Sequence, residues 1–107
     1  MYTWHKIDDI TVPALQENAM KEFLVADKRI GLLKREGNIY AFTALCPHAG
    51  GNLCEGWLDK RGRIVCPVHN YHFDPATGRN TTGEGYKLFT YPVEIKGDEI
   101  FVGLLSS

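Results

Sequence analysis

Cys46-Pro47-His48-Ala49-Gly50-Gly51 and Cys66-Pro67-Val68-His69 are the two runs from which the rest of the chain is read. Each sets one thiolate and one imidazole on a tight turn. Seventeen residues separate His48 from Cys66, enough for two separate loops that face each other. Two sulfurs and two nitrogens then form a four-ligand cage. Such a set suits a single tetrahedral zinc, the commonest use of Cys and His in intracellular proteins. Zinc modules, however, usually draw close Cys-Cys or His-His pairs, and here both turns are mixed, with Cys ahead of His. That ordering favours a two-iron, two-sulfide cluster, with Cys46 and Cys66 on one iron and His48 and His69 on the other.

Working outward, 107 residues are one domain's worth with a modest core, so residues 1–107 are expected to be a single domain with no second catalytic unit. A net charge of -1 with both signs interspersed argues against a nucleic-acid or membrane-surface partner, either of which would want a basic excess. No apolar stretch of membrane-spanning length is present, and MYTWHKIDDI has neither the basic region nor the apolar core of a signal peptide, so a cytoplasmic location is expected. With Cys46 and Cys66 committed as ligands, Cys54 has no thiol partner, and a reducing compartment fits this usage. Cys54 reads as a packed apolar residue in preference to a redox sensor.

Short alternating runs give an all-β reading. Strands are expected at Tyr2–Ile7, Glu22–Ala26, Ile30–Lys34 and Asn38–Thr43, with turns at Asp27-Lys28 and Glu36-Gly37-Asn38. Leu88–Ile95 and Glu99–Leu104, joined at Lys96-Gly97-Asp98, complete an antiparallel sandwich or barrel. Between them, Trp57-Leu58 and Ile64-Val65 flank the basic tip Lys60-Arg61-Gly62-Arg63, which is either solvated surface or a docking point for an acidic partner. His5 reads as an ordinary strand residue, and His72, with the cage already full, as a surface one.

The runs Cys46 to Gly51, Glu55-Gly56, Cys66 to His69, Phe73-Asp74 and Thr77-Gly78 together resemble the Rieske iron–sulfur family, over roughly the whole chain. The resemblance implies a Rieske-like antiparallel β-sandwich or barrel with a small cluster-binding subdomain, about residues 45–82, inserted into it. It implies one [2Fe-2S] cluster per chain, bound by Cys46, His48, Cys66 and His69. Gly51 and Val68 correspond to the positions of an inter-loop disulfide in high-potential relatives, and Tyr71 and Phe73 to hydroxyl positions near the cluster. Gly51, Val68 and Phe73 cannot supply those groups and Tyr71 is bulky for a serine site, so a low-potential member is expected, with Phe73 packed beneath the cluster. Relatives often carry proline in the loop covering the cluster, whereas Thr81–Tyr86 has none.

Two neutral imidazoles in place of two thiolates remove negative charge from one iron and ease electron entry. Reduction should also raise the proton affinity of the outer nitrogens of His48 and His69, coupling the electron to a proton at alkaline pH. No nucleophile paired with a base and no nucleotide-binding glycine loop is evident. The expected function is therefore electron transfer, without a substrate-turnover site, from a reductase to a terminal oxygenase or similar oxidoreductase. Leu53, Trp57, Tyr71 and the ligand imidazole edges are the expected docking contacts, although Trp57 reads equally well as core. A small subunit of an assimilatory nitrite reductase, towards which Asn70 leans, is the alternative within the family. A structural zinc module is the alternative outside it.

Overall fold

A computed structural model describes residues 1–47, 50–68, 70–83 and 85–105. Strands β1 (Tyr2–Thr11), β2 (Met20–Val25), β3 (Lys28–Arg35) and β4 (Asn38–Thr43) open the chain. The two-residue strands β5 (Trp57–Leu58), β6 (Ile64–Val65) and β7 (His72–Phe73) follow, then β8 (Thr90–Tyr91), β9 (Val93–Lys96) and β10 (Glu99–Leu105). They form three antiparallel sheets, in the orders β1-β10-β9, β2-β3-β4-β8 and β5-β6-β7. Among the described residues, no helix is long and apolar enough to cross a membrane.

Period-two alternation builds the base. Ile100, Val102 and Leu104 of β10 turn inward and meet Ile7 and Ile10 of β1, and Ile30 and Leu32 of β3, in one buried cluster. Tight turns set the register: Ala26 and Asp27 both take positive φ between β2 and β3, as do Glu36 and Gly37 between β3 and β4. These are the primed two-residue turns whose twist matches that of the flanking strands.

The β3–β4 hairpin also explains how the rest is attached. β3 is buried without a break from Ile30 to Leu33, and β4 at Ala41 and Phe42. Ile30, Leu32 and Ala41 serve the base core, whereas Leu33 and Phe42 join Cys46, Leu53, Ile64, Cys66, Phe73 and Leu88 in a second cluster. One hairpin thus separates two cores, each of whose large side chains contributes about 1.5–3 kcal/mol on burial.

The structure differs from the sequence reading at the last hairpin. Leu88–Ile95 is not one strand: β8 pairs with β4 and β9 with β10, and the switch falls at Pro92. Proline has no N–H for a ladder, but its carbonyl still accepts from Gly103 N–H at 2.9 Å, so the chain changes sheets there without losing that bond. β1 also runs on to Thr11 through an irregularity between Lys6 and Thr11.

Candidate metal centre

The two cysteine loops close in the same way. The Cys46 carbonyl accepts from Gly50 N–H at 2.9 Å while Cys46 N–H donates to the Gly51 carbonyl at 2.7 Å. Twenty residues later, the Cys66 carbonyl accepts from Asn70 N–H and Cys66 N–H donates to the Tyr71 carbonyl, both at 2.9 Å. The fifth residue of each closure, Gly50 (φ 69°) or Asn70 (φ 59°), is left-handed. Glycine and asparagine are the residues that tolerate this region best, so a local backbone requirement accounts for Asn70. A third turn, Asp74 to Arg79 with Gly78 at φ 77°, repeats the pattern.

Both cysteines are buried in the second core, as is Phe73, and neither thiol is in a disulfide. The loops meet through a missing side chain. A Cβ on Gly51 would lie 2.5 Å from Val68 Cγ2 and 3.5 Å from Cys66 Sγ, so glycine at 51 lets the first loop lie directly against the second. Two sheltered thiols on matched, interlocking turns suit a site for a soft metal centre. His48 and His69 lie outside the described residues.

Polar staples fix the surrounding chain. Asn52 accepts from Cys54 N–H at 2.9 Å and donates through Nδ2 to Glu22 Oε1 at 2.8 Å, tying the first loop to β2; Arg29 closes on the same carboxylate. The hydrogen bond from Arg29 holds the Glu22 carboxyl below its usual range, against the opposing effect of burial. On the other side, Asp59 accepts from Arg61 N–H (2.8 Å), Arg63 N–H (3.0 Å), Arg63 Nε (2.8 Å) and His72 Nδ1 (2.7 Å). Burial alone would raise the Asp59 carboxyl, but these donors outweigh it and hold it well below the carboxylate range. An ionised carboxylate only accepts, so His72 Nδ1 carries the hydrogen.

Three expectations change, and the open choice at Trp57 is resolved. His72 is half-buried and staples β7 to the β5–β6 turn. Leu53, expected at a docking surface, is fully buried in the second core. Tyr71 packs against that core, with its ring stacked on Tyr86 at 6.0 Å between centroids. Trp57 is the exposed one, at 50%. Cys54 packs over Gly31, where a Cβ would come within 2.9 Å of its Sγ, and burial pushes its thiol up to about 12, which suits a packed thiol and not a sensor. At the start of the Thr81–Tyr86 stretch, Asn80 Oδ1 accepts from Thr82 N–H at 2.8 Å, a side-chain turn.

Residues 4–92 match the family model for the Rieske [2Fe-2S] domain. The chain belongs to the Rieske family. The match decides for the [2Fe-2S] cluster over a single zinc. This Rieske chain is 33% identical over 99 residues to the ferredoxin component of a naphthalene 1,2-dioxygenase system from Pseudomonas aeruginosa, covering 92% of the one and 94% of the other. The ferredoxin of carbazole 1,9a-dioxygenase from Nocardioides aromaticivorans IC177 superposes with a TM-score of 0.83 at 27% identity, over 91% of this chain and 95% of that one. A chain from Mycobacterium tuberculosis described as an NADH-dependent nitrite reductase small subunit has a TM-score of 0.87 at 17% identity, covering 100% and 99%, a likeness of fold.

Proposed function

We propose that this protein is the ferredoxin component of a multicomponent oxygenase system, accepting one electron from a reductase and delivering it to a terminal oxygenase. The observation that carries the reading is the pair of matched loops with their buried cysteines, in a chain that aligns almost end to end with such components. Cys46 and Cys66 would hold one iron and His48 and His69 the other, within a cluster-bearing subdomain of about residues 45–82 in a single domain. When bound, a cluster of this ligand type stores and releases one electron, in a range of roughly -150 to +300 mV. The second core keeps water from the thiolates, and the Gly51–Val68 contact holds the loops in register. With no sulfur at either position to cross-link the loops, the low end of that range is favoured. Cysteines that are not joined in disulfides fit a reducing cytoplasm.

Visible absorption and low-temperature paramagnetic resonance of anaerobically purified protein, before and after dithionite, test the reading. A red-brown protein that bleaches and develops a signal averaging below the free-electron value is expected. A colourless, silent protein with one zinc per chain would overturn it.

A further inference from the structure

The cations of this chain are not equivalent. At the tip between β5 and β6, Arg63 is held by Asp59, and the groove shared by Arg35, Arg61 and Arg63 is also lined by Glu36 and Asp74. A second cleft, of about 520 Å³, lies beside the covering loop and is lined by Thr77, Arg79, Asn80, Gly85, Tyr86 and Lys87. Among the described residues, its only charged side chains are Arg79 and Lys87, and neither is engaged by a carboxylate.

The backbone builds this cleft for a reason visible at Gly78. Leu88 N–H donates to the Gly78 carbonyl at 2.7 Å, and a Cβ on Gly78 would lie 1.9 Å from the Leu88 carbonyl oxygen. Only glycine lets residues 85–88 lie flat on the 74–78 turn. Leu88 is thereby buried, and Tyr86 and Lys87 are left outside beside Arg79. Tyr86 is 42% exposed and stacks on Tyr71, whose carbonyl accepts from Cys66 N–H. Two rings therefore separate the surface of the cleft from the backbone of a cysteine of the metal centre.

We infer that this cleft docks a carboxylate-bearing segment of a redox partner protein, with Tyr86 as the central contact and Arg79 and Lys87 as the flanking charges. The inference rests on the electron-carrier reading and adds to it the chemistry of the partner's contact segment. An exposed tyrosine sharing a cleft with two cations that, among the described residues, no carboxylate engages is the composition of a binding hot spot. The cations steer an acidic segment and set its register, while the ring supplies area at little entropic cost. Two cations on a chain of net charge -1 are too few for a nucleic acid.

The test is a titration of 15N-labelled, oxidised holoprotein with hexaglutamate at low salt, with hexalysine as the control peptide. Hexaglutamate should shift the amides of Arg79, Tyr86 and Lys87 saturably. The double variant Arg79→Gln/Lys87→Gln should weaken that binding about tenfold, with its visible and resonance spectra unchanged. Tyr86→Ala should weaken it with no change in charge. Shifts centred on Lys60 to Arg63, hexalysine binding in the cleft, or equal affinity in the double variant would each overturn the inference. Loss of the electron-carrier reading would register separately, as the absence of the resonance signal in the unmodified protein.

Discussion

The base and the half that carries the two cysteine loops use the same kind of secondary structure and are held in opposite ways. Strands β1 to β4 and β10 run six to ten residues and close on an apolar core with self-defining turns. Strands β5, β6 and β7 are two residues each, too short to stand alone. Their half relies on Asp59, Asn52, three matched turn closures and a small second core into which both cysteines are built. The base is stabilised by what it buries, and the other half in large part by polar staples and turn closures. On the proposed ligand set, that division is tolerated because metal binding itself contributes folding free energy.

The largest break in this comparison should come from the cluster. Replacing Cys66 by Ser is expected to abolish the visible absorption and to collapse amide-exchange protection in β5, β6 and β7. The amides of β3 and β10 should stay protected. Global unfolding would instead show that the base depends on its insert and that the two halves are one cooperative unit.

A smaller effect isolates the Asp59 staple. Asp59→Asn keeps the shape but turns an amide N–H₂ towards Arg63 and His72, both donors, and should cost about 2 kcal/mol, felt in the β5–β7 sheet. Because the folded-state pKa of Asp59 is depressed, its contribution is complete above the unfolded carboxylate value of about 4 and is lost as pH falls through the lower folded value. The gap between wild type and Asp59→Asn, measured by amide exchange or cluster release, should therefore narrow on acidification below about pH 4. A gap that stays constant to pH 2 would assign the cost to packing and not to charge.

How far the sequence disclosed this division follows from the same physics. Base strands β2 to β4 were legible to within two residues because alternation and turn residues are local signals. The two cysteine loops were legible because Cys-Pro runs ending at a glycine or asparagine are also local signals. Pro92 was missed as a sheet switch because the apolar pattern runs straight through it and only long-range pairing reveals two partners. The Asp59–His72 bond spans thirteen residues across two strands, and no spacing rule announces it. Leu53 looked like an exposed loop residue until the Asn52 cap turned it inward. Gly51 and Gly78 act through the atom they lack, so their partners, Val68 and Leu88, are visible only in three dimensions.

The smallest expected effect sharpens the comparison from the side of the base. Ala26 holds φ 47° at the first position of the β2–β3 turn, a region that costs an L-residue with a Cβ about 1 kcal/mol and that asparagine enters more readily. Ala26→Asn keeps the Val25–Lys28 register and should stabilise the base by about 0.5–1 kcal/mol. Cluster loss can make global unfolding irreversible, so the measurement is native-state amide exchange in β2, β3 and β4 of the holoprotein. Slower exchange confined to those strands, with β5 to β7 and the reduction potential unchanged, is the outcome the two-region account requires. Equal slowing in both halves would mean that the β3–β4 hairpin couples the two cores into one unit, and that the cluster draws stability from every strand of the base.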